Sequence, residues 1–450
     1  MEKLKGFDYQ ALEFDQSGKP TGTGIDGLAK HVKDNGVTDV ILICHGFRND
    51  ANDAKALYGS FLEALAQNMK HASLKAALQD RTWAVGGVLW PSMVFPEPDD
   101  SGLGSAQSVG KTSAHTKRLE ALKTGMKAAD KKRVDKMIAL VGSAGKDEKA
   151  QLEMVKQLLA LVEGSATAAS NEMKTAFKKA KPEALRGALT AGGQVVVKKP
   201  KGGASTGIPT LGGGVGAAGG QAQGLGDIFG FVPKFLNLTT FLLMFDRCLA
   251  IGSSGISRAA RAMRGASKDV RIHLVGHSLG GRSVTACAQS LLKAPVVKVD
   301  TMMLLQAAYS HFGMAPAGTS PEGVKHPKGF FRDVVEKKAV KGAILATHSE
   351  KDSVVGFAYS SMSAVSGNNA AAFGDAKSAF GGIGRNGVLD TPEVVRQELV
   401  LPGKAYSLDT AKITTLDGSV QDGGKARIAN HGDVKNAAVT WAFASLLASS

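Results

Sequence analysis

The run Asp269-Val-Arg-Ile-His-Leu-Val-Gly-His-Ser-Leu-Gly-Gly-Arg282 decides how the rest of the chain is read. Val270 to Val275 sets apolar, mostly β-branched residues between Arg271 and His273, the pattern of a short strand. Gly276 to Gly281 breaks that pattern, and Ser283 to Lys293 places apolar residues at helical spacing. Strand, tight turn and helix, with Ser278 at the turn, put a G-x-S-x-G sequence in the setting where it carries chemistry. A turn this sharp brings two backbones together, so Gly276 and Gly280 are expected to be needed for their lack of a Cβ. Ser278 is expected to be strained, with its hydroxyl presented outward. The N–H of Leu279, at the helix start, would face an oxygen that becomes negative during attack on an ester.

Composition bounds the rest. With 450 residues, 43% hydrophobic and 21% charged, the chain can bury a large core and matches a soluble globular protein. Cys44, Cys248 and Cys287 lie in apolar segments without metal-type spacing and read as buried thiols, which points to a reducing compartment. The N-terminus carries charges but no apolar signal core. The apolar run Phe235 to Phe245 is shorter than the ~20 residues of a spanning helix and stops at Asp246-Arg247. The expected location is the cytoplasm, or outside the cell by a route without a cleaved signal. The net charge of +15 is concentrated: residues 101–201 hold 20 Lys+Arg against 9 Asp+Glu.

Along the chain, Phe7 to Phe14, Val37 to Cys44, Thr82 to Trp90, Val299 to Gln306, Lys341 to Thr347 and Lys412 to Leu416 read as strands. Helices are expected over Gly24 to Lys33, Ala51 to Asn68, Phe235 to Gly265 and Val434 to Leu447. Strands alternating with helices predict an α/β fold with a mostly parallel central sheet, helices on both faces and active residues at the carboxyl ends of the strands. Residues 96–230 interrupt this texture. Thr116 to Val141, Glu148 to Val162 and Glu172 to Ala180 are helical by period, and Lys198 to Gly230 reads as a Gly-rich linker. A G-x-G-x-x-G at Gly214, Gly216 and Gly219 lacks a preceding strand, so no dinucleotide is expected. The chain thus divides into a first core part (1–95), a basic helical and Gly-rich insertion (96–230) and a second core part (231–450).

A serine hydroxyl needs a base to take its proton. His431, between the last strand and the closing helix, has the position for it. His348 comes too early and reads as a local hydrogen-bonding residue. The loop after the Lys341–Thr347 strand offers carboxylates to hold the imidazole. Asp352 is the expected acid because His348-Ser349, Asp352 and Val354-Val355 resemble the acid loop of many α/β hydrolases, with Glu350 as runner-up and Asp390 and Asp433 as weaker candidates. A second oxyanion donor is expected from the loop His45-Gly46-Phe47: Phe47 supplies the N–H, Gly46 lets the backbone turn inward, and His45 pins the loop.

The G-x-S-x-G elbow, with an acid and a histidine following in that order, resembles the α/β-hydrolase superfamily. His45 to Asp50, Gly87 to Ser92 and Ala308 to Phe312 narrow the likeness to bacterial lipase- or esterase-like members, over Thr38–Ser92 and Phe231–Ala448. The resemblance implies a cofactor-free, metal-free carboxylic ester hydrolase with Ser278, His431 and Asp352 as its triad and His277 among the supporting residues. It does not cover the insertion. The insertion reads as a lid over the Ser278 pocket, as a lysine-rich foot on an anionic membrane, or as a helical appendage or oligomer contact. With Phe177 its only aromatic in the basic segment, nucleic acid is not an expected partner. An alternative from another class is a non-catalytic protein of the same fold that holds a membrane or acidic partner through the insertion.

Overall fold

The computed structural model describes residues 1–47, 49–92, 108–124, 126–164, 181–190, 231–355, 378, 380–410 and 412–450. The short helix expected at Glu172 to Ala180, the Gly-rich 198–230 segment and the Gly214, Gly216 and Gly219 motif lie outside them.

Nine strands form one sheet: β1 (Glu2–Leu4), β2 (Phe7–Glu13), β3 (Asp39–Cys44), β4 (Trp83–Leu89), β5 (Arg271–His277), β6 (Thr301–Leu305), β7 (Ile344–His348), β8 (Val394–Glu398) and β9 (Ile413–Asp417). Their spatial order is β1-β2-β4-β3-β5-β6-β7-β9-β8. Only β1 runs antiparallel to its neighbour; every other pair is parallel. The expected α/β class, with a mostly parallel sheet, is what the chain forms.

Both faces are covered. Along β3, Val40, Leu42 and Cys44 enter one apolar cluster, while Ile41 and Ile43 enter the other. That alternation is why the strand reads as continuously apolar. The first cluster receives α1 (Gly24–Asp34) and the second receives α2 (Ala51–Met69) and α3 (Ala72–Leu78). The insertion contributes α4 (Ser108–Leu122), α5 (Ala128–Leu140), α6 (Glu148–Gly164) and α7 (Pro182–Thr190) to the first side. The single helix expected over Thr116 to Val141 is two helices. The chain turns at Lys123–Thr124, ahead of Gly125, whose backbone freedom disfavours helix.

The helix expected over Phe235 to Gly265 forms and continues past Asp246, where its apolar run is interrupted. Helix α8 (Phe231–Ala250) passes through a π-helical turn (Ile251–Ile256) into α9 (Ser257–Ala266). This 36-residue span is long and apolar enough to cross a membrane, but 72% of its apolar window is buried inside the protein. Arg247 is accommodated because its guanidinium donates to the Pro91 carbonyl at 2.6 Å. Gly252 lets this span touch the backbone of α10 (Leu279–Leu291), for a Cβ there would lie 2.0 Å from the Ser283 carbonyl oxygen. Helices α4, α6 and α7 pack on α8. They bury Leu119, Leu122, Met154, Val155, Leu158, Leu185 and Leu189, while Lys127, Lys131, Lys132 and Lys136 at the start of and along α5, and Lys146 and Lys149 around the start of α6, are exposed. On the opposite face α13 (Ala437–Ala448) buries Trp441, Phe443, Leu446 and Leu447 in the second cluster, while the short α11 (Arg332–Glu336) and α12 (Ile383–Asn386) join the first.

Candidate active site

The carboxyl ends of β3, β5, β7 and β9 point to one region, and the sequence-expected residues fall on the loops that leave them. Cys44 pairs with Gly276 across β3 and β5, so the loop beginning at His45 lies beside the turn beginning at His277.

Ser278 sits between β5 and α10 with φ +57° and ψ −123°, a left-handed value rare for a side chain. The strain is held by backbone bonds on both sides: its N–H donates to the Leu305 carbonyl, and its carbonyl accepts from the Gly281 and Ala308 N–H groups, each at 3.0 Å. Close approach explains the glycines. A Cβ on Gly280 would fall 2.2 Å from the Cys44 carbonyl oxygen, and one on Gly276 would fall 2.3 Å from that of Gly280. Leu279 is the first residue of α10, so its N–H has no carbonyl one turn earlier in the helix.

His431 is buried in the loop ahead of α13, and its Nδ1 is 2.8 Å from Asp352 Oδ2. Asp352 is fully buried and held at both oxygens: Gln306 Nε2 donates to Oδ2 at 3.3 Å and the Val355 N–H donates to Oδ1 at 2.9 Å. A carboxylate fixed this way accepts from the Nδ1–H of the imidazole, which leaves Nε2 as the ring's basic edge. The two loops are tied to each other as well. Ser349 Oγ donates to the Ile428 carbonyl at 2.8 Å. Asn436 caps α13 by accepting from the Val439 N–H at 3.0 Å and reaches back to the Arg427 and Asp433 carbonyls. His277 links the base to the elbow: its Nε2 is 3.0 Å from the His431 carbonyl oxygen, and the two rings stand 4.8 Å apart. No hydrogen bond joins the Ser278 hydroxyl to His431 in this resting arrangement.

The loop after β3 is built by tertiary contacts. Gly46 packs on Ser278, since a Cβ there would lie 2.6 Å from Ser278 Cβ and 3.1 Å from its Oγ. The Gly46 carbonyl accepts from His45 Nδ1 at 2.9 Å and Asn49 Nδ2 at 3.4 Å. In a trans peptide the N–H points opposite to the carbonyl, so these bonds turn the Phe47 N–H to the other side. Asn49 is itself clamped, its N–H donating to Ser92 Oγ at 3.1 Å and its carbonyl accepting from that hydroxyl at 2.8 Å. Trp90 stacks on His45 and donates from Nε1 to its carbonyl at 3.1 Å. Burial pushes His45 down to about 4, so its ring stays neutral, with the proton on Nδ1. Helix α8 closes this side through Phe241, edge-on to Phe47 at 6.4 Å.

The runner-up acids are elsewhere. Glu350 is exposed, Asp390 is hydrogen-bonded to His326, and Asp433 accepts from the Ala429 N–H and Asn436 within its own loop. His348 Nδ1 is 4.0 Å from Asp417 across β7 and β9. Asn49, Ser92, Trp90, Gln306 and the N–H of Val355 escaped the sequence reading, because each acts through a partner distant in the chain or through its main chain.

A second array imitates the first. His273 bridges Thr301 Oγ1 at 2.8 Å and Asp39 Oδ1 at 2.9 Å, and Arg81 and Arg271 also bind Asp39. It lies toward the amino ends of β3, β5 and β6, and His273, Thr301 and Asp39 are fully buried. No substrate can reach it, and its role is to join strands.

No protein family, curated protein or solved structure matches this chain. Among the described residues no three His, Cys, Asp or Glu side chains are grouped as a metal site would need.

Proposed function

We propose that the protein is a serine hydrolase of the α/β-hydrolase fold that cleaves carboxylic esters, foremost those of lipids or phospholipids. One observation carries the proposal. A serine strained into left-handed backbone directly follows His277, whose ring stands 4.8 Å from the buried His431 imidazole, and the Nδ1 of that imidazole is bonded to a buried carboxylate, all on loops at the same end of a mostly parallel sheet.

In the proposed reaction Ser278 Oγ attacks the ester carbonyl carbon while His431 Nε2 takes the hydroxyl proton. The Leu279 and Phe47 N–H groups receive the negative oxygen, and Asp352 stabilises the imidazolium without being protonated. His431 then gives its proton to the departing alcohol, leaving the acyl group on Ser278. Water attacks that acyl group, again losing a proton to His431, and the proton returns to Ser278 Oγ as the acid leaves.

The lipid preference is supported by the exposed lysines of α5 and by Lys146 and Lys149 at the start of α6, which suit an anionic interface. Each basic residue near such a surface contributes about 1 kcal/mol, screened by salt. Those lysines also favour a second reading, a non-catalytic protein of this fold that docks on anionic membranes. Flotation with phosphatidylglycerol vesicles at rising salt, without ester turnover, would select it. The esterase reading is tested by Ser278→Ala, which should lower turnover of p-nitrophenyl esters by about 10⁴–10⁶ while the protein stays folded. A fluorophosphonate should label Ser278 in the parent protein. Equal turnover by parent and variant would remove the proposal.

A further inference from the structure

We infer that His277 is a positioning residue for the base: its side chain fixes the backbone of His431 relative to the nucleophile elbow. This inference rests on the esterase reading above. His277 ends β5 and directly precedes Ser278, so its Cα shares the rigidity of the central sheet. His431 belongs to a loop more than 150 residues later, joined to the acid loop and to α13. The bond from His277 Nε2 to the His431 carbonyl oxygen, at 3.0 Å, is the direct polar link between these two pieces.

The tautomer follows from the partner. A carbonyl oxygen only accepts, so His277 carries its proton on Nε2 and a lone pair on Nδ1. That Nδ1 is buried and has no hydrogen-bond partner among the described residues. A ring with one bond made and one buried polar atom unmet is a poor way to fill a core, where leucine or methionine would cost nothing in desolvation. The position is explained by where the one bond lands, on the main chain of the catalytic imidazole. Burial, with His431 beside it, also pushes His277 down to about 3, so the donor stays in the same state through the neutral range. Because His277 is buried, it can act on the rate through geometry without contacting substrate.

The test compares His277→Met with His277→Gln, whose side-chain amide can donate from about the same place as the imidazole Nε2. Fluorophosphonate labelling of the parent at Ser278 is read first: without it the esterase reading fails and this inference goes with it. With the parent labelled, His277→Met should lower kcat on p-nitrophenyl butyrate by about 10–100-fold with KM unchanged, and slow labelling in parallel. His277→Gln should recover most of the loss. Parental kcat in the Met variant, or equal loss in both variants, would overturn the inference and leave the esterase reading standing. Should the Met variant fail to fold, ¹⁵N-histidine NMR of the parent decides: a proton on Nε2 of His277 supports the link, and a proton on Nδ1 overturns it.

Discussion

Replacing Gly46 by alanine isolates the oxyanion loop from the rest of the site. The new Cβ would lie 2.6 Å from Ser278 Cβ and 3.1 Å from both Ser278 Oγ and the His277 carbonyl oxygen. Carbon atoms pack at about 3.5–4.0 Å, so the two segments must part by about 1 Å. Gly46 is not among the glycines with left-handed φ, so alanine brings no backbone strain of its own. The elbow cannot yield easily, because Ser278 is bonded to Leu305, Gly281 and Ala308 and Gly280 is in contact with the Cys44 and His45 carbonyls. The 46–47 loop must then move, carrying the Phe47 N–H away from the developing charge. Losing one such donor costs about 10²–10³ in kcat, roughly 3–4 kcal/mol, with a much smaller effect on KM. The assay is p-nitrophenyl butyrate turnover by a protein whose urea transition matches the parent. A folded Gly46→Ala protein with parental kcat would refute the assignment of this loop.

Acid should destabilise the protein through its buried histidines. Folding holds His45 at about 4 and His277 at about 3, against about 6.5 in the unfolded chain, so between those values the unfolded chain binds more protons and stability rises with pH. This contribution is complete above about pH 6.5 and is lost as the pH falls toward 4 and then 3. Urea unfolding at pH 7 and pH 4.5 should differ by several kcal/mol, on the order of 1.4 kcal/mol per pH unit per histidine; equal stabilities would contradict the neutral, buried rings. At the far end of the sheet, Asp39→Asn should cost about 3–5 kcal/mol, since it strips the buried partner from Arg81, Arg271 and His273. Urea titration measures that loss, and kcat at 25 °C should stay parental; a folded variant with reduced kcat would show that the two ends are coupled.

Strands with strong apolar patterns were legible within two or three residues: β3, β4, β5, β6, β7 and β9 all stand where their residues predict. Several short elements escaped, β8 and α3 among them. β8 is an edge strand whose Arg396, Gln397 and Glu398 break any apolar pattern, and it forms because β9 offers it a parallel partner. Helix α3, only seven residues long, buries just Leu74 and Leu78, too few to show a period. The helical stretch from Phe235 to Gly265 was legible even though Asp246 and Arg247 interrupt its apolar run, and the fold accommodates Arg247 with the Pro91 carbonyl.

What the sequence made legible by itself was the elbow, because a serine between glycines at 276 and 280, after a strand and before a helix, marks the turn, although bonds to Leu305 and Ala308 and the approach of Cys44 hold it. The placing of Asp352 and His431 on loops that follow strands was legible too. Only the tertiary structure decided the rest. The direction of the Phe47 N–H depends on Asn49, Ser92, His45 and Trp90, and the hold on Asp352 depends on Gln306. These are hydrogen bonds between groups brought together by chain crossings, and such bonds leave no period or spacing in the sequence because what they need is proximity in space.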